Sequence, residues 1–541
     1  MLSRRTFTAS TIALGGYAAI ATAHDRRAQF DSSWESLVAG YRAPEWFRDA
    51  KFGIWAHWSA QCVPEQGDWY ARKMYIQGDR VYDHHLRTYG HPSQYGFMEI
   101  DNLWHAENWD PEALVARYSR AGAKYFVALA NHHDNFDNYA SRHHAWNSVN
   151  LGPKRDIIGT WARAARAQGL KFGVSNHSAH AWHWFQTAYG YDPEGALAGQ
   201  RYDAYRLTRA DGVGKWWEGF DPQELYCGPT MPLPDDIRTI PEMVEWHNKH
   251  DRVWDENPPA ANPEFVRRWK LRCLDLIDSY RPDLIYFDNS GLPLGQTGLD
   301  VAAHYYNSSM EWHGGSLEAV INGKQMPPEH RGALVEDVER GLRTEIYPEP
   351  WQTDTCIGEW HYRRSLFEDH KYKTVEWVVR ALCDIVSKNG NLLLSIPLRG
   401  DGTIDSDEEK FLDGLTAWMQ VNGEAIYATR PWTTFGEGPE QKPGGMFSEA
   451  EQQFTGQHIR FTRKNGVLYA LVLGWPEGGV AHIAALGASG RYAAQTIERV
   501  DLLSAGDLKF VRDADGMHVT LPATRSREIA HAIRIRGRGL A

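Results

Sequence analysis

Residues 284–288 read LIYFD, an apolar run that ends in a carboxylate, Asp288, followed by Asn289, Ser290 and Gly291. Four other apolar runs end in polar groups. Residues 51–58 (KFGIWAHW) carry Trp55 and His57, and 124–130 (KYFVALA) run into Asn131, His132, His133 and Asp134. Residues 171–175 (KFGVS) run into Asn176 and His177, and 333–339 (ALVEDVE) carry Glu336 and Glu339. A carboxylate or imidazole buried alone needs its own partner, so five such endings are best explained by one shared site. Alternate residues of a strand share a face. Tyr286 therefore stands beside Asp288, and Trp55 beside His57. Aromatic plates next to carboxylates and imidazoles suit a pyranose, whose C–H faces stack on rings while polar groups hold the hydroxyls.

The runs between these endings alternate with helices. Asp110-Pro111-Glu112 pairs a capping carboxylate with proline at the first helical position, and Gly122 stops the helix ahead of the 124–130 strand. The pattern recurs at 156–168, at 263–280 and at 374–388, each followed by an apolar strand (171–175, 284–288 and 391–397). Strands apolar on both faces and separated by helices belong to parallel sheets. Residues 51–58, 318–322, 333–339 and a weaker 354–358 bring the strands to eight, and eight predict a TIM-like (β/α)8 barrel, in which function gathers at the C-terminal strand ends. An open doubly wound sheet is the alternative, but no glycine-rich phosphate loop follows any strand.

Beyond residue 430 the pattern changes to hairpins. Residues 458–462 and 467–473 flank Lys464-Asn465-Gly466, and 511–521 break at Asp515-Gly516, which predicts a β-sandwich. At the other end, Arg4-Arg5 precedes a short uncharged run and Ala21-Thr22-Ala23, the form of a twin-arginine export signal. That run falls short of the roughly 20 residues that span a bilayer. The expected organisation is a removed signal at 1–23, a catalytic barrel at 30–430 and a sandwich at 431–541, in a protein exported to the periplasm or medium without membrane insertion. Lys plus Arg number 58 against 69 Asp plus Glu, for a net charge of −11, and no basic stripe stands out. Nucleic acid is excluded as the main partner on that ground. The 23 Trp outnumber the 19 Phe, which favours a flat hydroxylated ligand. Five scattered cysteines form no metal or redox motif, and no cofactor signature is present.

Residues 51–59 (KFGIWAHWS), 67–75 (GDWYARKMY), 121–136 (AGAKYFVALANHHDNF), 169–174 (GLKFGV), 282–288 (PDLIYFD), 386–397 (VSKNGNLLLSIP) and 422–432 (NGEAIYATRPW) resemble the family 29 α-L-fucosidases in order and spacing. The resemblance covers about 35–435 and implies a retaining hydrolase that releases terminal α-L-fucose from fucosylated oligosaccharides. It implies Asp288 as nucleophile and Tyr286 as the adjacent aromatic. It also implies His57, His132, His133 and Trp69 as sugar contacts. By register Glu339 matches the acid/base, with Glu336 in reserve; three apart on a strand, they would face opposite ways. Two departures from the family matter: Asp68 stands where a glutamate is common, and Ser175-Asn176-His177-Ser178 replace a tyrosine-rich segment; Asn289 also follows the implied nucleophile, where the family shapes the pocket for the fucose methyl group. An L-galactoside is therefore a second conceivable substrate.

Two other functions fit parts of the pattern. One is a catalytically inert sugar-binding protein on the same scaffold. The other is a metal-dependent hydrolase using His132, His133 and Asp134, which strand alternation opposes by sending neighbouring side chains to opposite faces. The retained Asp288 opposes the first.

Overall fold

The computed structural model describes residues 30–259, 262–489, 495–523 and 529–540. The expected signal segment at 1–23 lies outside them. Eight parallel strands close into a barrel: β1 (Phe52–Ala56), β2 (Tyr125–Asn131), β3 (Lys171–Asn176), β4 (Leu284–Ser290), β5 (Val320–Lys324), β6 (Val335–Asp337), β7 (Trp351–Cys356) and β8 (Gly390–Ser395). Strand β8 pairs back onto β1, Leu392 against Phe52.

The helices begin where the capping residues place them. The Asp110 carboxylate accepts from Ala113 N at 2.9 Å, Asp156 from Gly159 N at 2.9 Å and Asn262 from Phe265 N at 3.0 Å. Each cap is worth about 1 kcal/mol. The helices Pro111–Arg120, Ile157–Ala167, Pro263–Tyr280, Gln296–Trp312 and Val375–Ser387 precede β2, β3, β4, β5 and β8. The crossovers into β6 and β7 differ: among the described residues they contain only a single turn at Pro328–His330. Among the described residues the helical ring thus has a gap at β6 and β7, and the segment after β6 is met there by the connection that follows the barrel.

The strand bounds differ from the sequence expectation, and at three strands the difference bears on the site. The fifth strand runs to Lys324 rather than stopping at 322, and the seventh is Trp351–Cys356 rather than 354–358. The seventh hides its pattern because its polar groups are buried and paired, Gln352 and Asp354 on one face of the strand and Thr353 on the other. Gln352 Nε2 donates to Asp337 at 2.9 Å, Thr353 Oγ1 to Val338 O at 2.7 Å, and Asp354 accepts from Tyr286 Oη at 2.8 Å. The sixth ends at Asp337, so the chain has left the sheet before Glu339.

After the barrel, β9 (Arg430–Glu437), β10 (Ile459–Lys464), β11 (Val467–Val472), β12 (Val480–Ile483), β13 (Thr496–Leu502), β14 (Gly506–Asp507), β15 (Lys509–Arg512), β16 (Met517–Thr520) and β17 (His531–Arg538) form two antiparallel sheets. Their orders are β14-β13-β17-β11-β10-β9 and β12-β16-β15. Both sheets supply one core that includes Phe461, Leu468, Ile483 and Val519. In the β10–β11 hairpin Asn465 and Gly466 take φ of 50° and 77°, the left-handed pair that a two-residue turn requires. Arg460 of β10 reaches the barrel helix Val375–Ser387, pairing with buried Asp384 at 2.6 Å, and Asp384 also holds Lys388 at 2.7 Å. No helix among the described residues is long and apolar enough to cross a membrane.

Candidate active site

The C-terminal strand ends surround a cleft of about 530 Å³. Asp288, near the end of β4, and Lys324, the last residue of β5, meet there: the Lys324 ammonium donates to Asp288 Oδ1 and, at 2.5 Å, to Glu339 Oε2. His177 Nδ1 and His133 Nε2 stand 3.2 and 3.3 Å from Asp288 Oδ2. Because His133 Nδ1 is spent on His177 O at 2.7 Å, its Nε2 can donate to Asp288 only when the ring carries both protons.

These contacts separate the two carboxyl groups. Burial by itself would raise Asp288, but the Lys324 charge and the flanking imidazoles hold it well below the ordinary carboxylate range. Burial lifts Glu339 to about 7; Asp354 and Asp288 add to the rise and Lys324 opposes it. Burial also works against the Lys324 charge, yet Asp288, Glu339 and Asp354 keep it protonated far above the usual lysine range. The site therefore offers an ionised carboxylate beside a carboxyl that keeps its proton near neutrality, the division of labour that acid-assisted displacement needs.

Two further imidazoles, His57 and His132, line the cleft beside these. Burial, with the charges of neighbouring His361 and His177, holds His57 neutral, and neither of its ring nitrogens has a partner among the described residues. An unpartnered buried imidazole facing a cleft is a place for a ligand hydroxyl. Gln61 supports the next ring: its Nε2 donates to His132 Nδ1 and to Asp134 Oδ2, both at 2.9 Å, while its Oε1 accepts from Ala71 N at 3.3 Å. His132 thus turns an Nε2–H toward the other imidazoles. Trp55 packs against Tyr286 at 4.9 Å and Trp360 at 5.4 Å, forming an aromatic wall. Trp69 lines the rim, and Asp68 Oδ1 accepts from His361 N at 2.8 Å, which anchors the loop after β7.

Of the residues singled out from sequence, the cleft collects Trp55, His57, Asp68, Trp69, His132, His133, His177, Tyr286, Asp288 and Glu339. Two others turn away. Glu336 accepts from Arg343 at 2.6 Å and from Tyr347 at 3.2 Å outside the cleft, so it is no reserve for Glu339. Asn176 accepts from Ser178 N at 3.2 Å and points its amide at Cys273, closing the turn after β3 rather than facing a ligand. The expectation that His132 and His133 diverge also fails. Strand β2 ends at Asn131, so alternation no longer applies, and the two rings lie 4.3 Å apart in the same cleft.

Sequence reasoning missed Lys324, Trp360, His361, Trp254 and Glu256. Lys324 was legible as a cation closing the apolar run VINGK; the others lie in loops without periodicity. Trp254 and Glu256 come from the long segment after β3, which buried Asp251 pins to Arg72 at 2.7 Å. Glu256 accepts from Asn289 and, at 3.0 Å, from Ser290 N, bracing the two residues after Asp288.

Two imidazole sets, His57/His132/His361 and His132/His133/His177, bring ring nitrogens within 4.8 Å of one another and could hold a metal ion. Both require His132, whose Nδ1 already takes the Gln61 proton, leaving an Nε2–H that suits a hydroxyl oxygen better than a cation. Asp134 is not part of either set. It accepts from Gln61 and Phe136 N behind the wall. The five cysteines are free and buried.

A family model described as Alpha-L-fucosidase matches residues 17–424, and one described as Alpha-L-fucosidase C-terminal domain matches 452–536. Tissue alpha-L-fucosidase of Homo sapiens is 26% identical over 514 residues, covering 92% of this chain and 90% of that protein. The solved structure of the Thermotoga maritima alpha-fucosidase in complex with fucose is 25% identical, with a TM-score of 0.65 over 94% of this chain and 100% of that one. The same enzyme with a mechanism-based inhibitor gives a TM-score of 0.66 over 94% and 99% at 25% identity.

Proposed function

This chain belongs to the α-L-fucosidase family, and from that glycosidase premise we propose that it releases terminal α-L-fucose with retention, Asp288 acting as nucleophile and Glu339 as acid/base. Asp288 attacks the anomeric carbon while Glu339 gives its proton to the glycosidic oxygen, so the aglycone leaves as an alcohol. Glu339, now a carboxylate, takes a proton from water, and the water oxygen displaces Asp288 from the same carbon. His57, His132, His133, His177 and Trp69 hold the sugar, and Trp55 and Tyr286 face its apolar side.

The observation that carries this is the shared ammonium of Lys324. Two carboxylate oxygens accepting from one ammonium stand no farther apart than two charged hydrogen bonds laid end to end, about 5.5 Å. Retaining enzymes need about 5–5.5 Å, and inverting ones about 6.5–9.5 Å to admit a water. The test is NMR of the first sugar released from 4-nitrophenyl α-L-fucoside. The α anomer is expected; the β anomer would replace this mechanism. Asp288→Ala should lower kcat by about 10⁴-fold or more, and azide should restore turnover as β-L-fucosyl azide.

Asn289 and His180, polar groups lining the cleft next to Asp288, favour an α-L-galactoside as the second substrate to screen. We also read residues 30–430 as the catalytic unit, 431–541 as its companion sandwich, and 1–23 as an export signal. The support for the last is the paired arginines and the Ala21-Thr22-Ala23 segment, and N-terminal sequencing of exported protein tests it.

A further inference from the structure

Phe447 combines three features that a surface phenylalanine seldom has together. It is 62% exposed, it lines the cleft, and its backbone lies in the left-handed region at φ 58°. A bulky side chain at positive φ persists only where its surroundings impose it. Here they do. Phe447 N donates to Glu339 O at 2.8 Å, Gly445 N to Leu342 O at 2.8 Å and Glu449 N to Arg340 O at 3.0 Å, so the β9–β10 connection runs alongside the segment that carries Glu339. The approach is close: a Cβ on Gly341 would fall 1.9 Å from Gly445 O, so only glycine fits there. Buried side chains then clamp the loop to the barrel, Glu449 accepting from Thr355 Oγ1 and from Lys373 Nζ, each at 2.6 Å.

We infer that Phe447 is the platform on which the ring of the leaving group stacks, so that the C-terminal domain completes the substrate site. This rests on the hydrolase reading above and adds to it. Glu339 gives its proton to the oxygen that joins fucose to the aglycone, so the aglycone departs on the Glu339 side of the cleft. The ring tethered to Glu339 through one backbone hydrogen bond is an exposed apolar surface there, with Met446 beside it. A neutral pyranose, which offers a C–H face, is the aglycone this surface accepts.

The test compares Phe447→Ala with wild type on α-L-fucosyl fluoride, 4-nitrophenyl α-L-fucoside and a fucosyl disaccharide. The fluoride leaves as one atom, the nitrophenolate has a ring but needs little acid assistance, and the disaccharide has a ring and needs the acid. Phe447→Ala should lower kcat/KM about 5-fold on both ring-bearing substrates and leave the fluoride unchanged, with Phe447→Trp restoring the loss. Loss on the disaccharide alone would mean that the loop only places Glu339, and equal loss on all three, or none, would equally overturn the platform. A wild-type protein inert on the fluoride would overturn the hydrolase reading itself, and this inference with it.

Discussion

Asp288 and Glu339 accept hydrogen bonds from the same ammonium, that of Lys324, which is itself almost wholly enclosed. One cation between two carboxyl groups does not affect them equally. Asp288 has two imidazoles in addition and stays ionised, whereas Glu339 faces Asp354 and Asp288 and keeps its proton. Burial makes this division steep, because charge interactions are least screened where water is excluded.

The two glutamates of the sixth run should separate cleanly. Glu339→Ala is expected to lower kcat/KM by about 10²–10⁴-fold on an alkyl or sugar leaving group, with a far smaller loss on an activated aryl fucoside. Glu336→Ala, whose partners are Arg343 and Tyr347, should change neither by more than about 2-fold. Parallel Brønsted plots of the two variants check this, and equal leaving-group sensitivity would reverse the assignment.

The pH profile should be asymmetric. Glu339 must be protonated to act as acid, so kcat/KM should fall as pH rises through about 7. Asp288 must be ionised, and its depressed pKa puts the acid limb below the ordinary carboxylate range. The expected result is a broad plateau on the acid side of neutrality, measured with a poor leaving group.

Lys324→Met should move the whole profile rather than only lower it. Losing the cation makes both carboxyl groups easier to protonate, so both limbs shift to higher pH, by about 1–3 units for a lost adjacent charge. Lys324→Arg should keep the limbs in place. Uniform loss with unchanged limbs would reduce Lys324 to a packing role.

Exhaustive dialysis against a chelator should leave kcat unchanged. The His132 proton arrangement set by Gln61 favours hydroxyl binding over metal ligation. Activity lost on dialysis and restored by Zn²⁺ alone would instead assign the reaction to one of the imidazole sets.

Much of this architecture is written locally. The capped helix starts at Asp110, Asp156 and Asn262 and the Asn465-Gly466 turn depend on neighbours within a few residues, so their positions follow from the chain alone. So does the parallel barrel, because its apolar strands must be covered on both faces. Asp288, His57 and His177 were legible for the same reason: strand ends in a barrel all point to one rim.

What escaped lies where the backbone leaves regular structure. Alternation sets Glu336 and Glu339 on opposite faces, but β6 stops at Asp337 and the irregular chain beyond it carries Glu339 into the cleft while Arg343 draws Glu336 out. Alternation likewise separates His132 from His133, which a strand end at Asn131 brings together. Lys324, His361 and Phe447 join the site from 36, 73 and 159 residues beyond Asp288 in the chain, and of the three only Lys324 touches Asp288 among the described contacts. Local periodicity gives strands and caps because those energies are settled between near neighbours. A loop's course is settled by the distant surface it packs on, so only the closed barrel and the sheet domain docked against it could determine which groups meet Asp288.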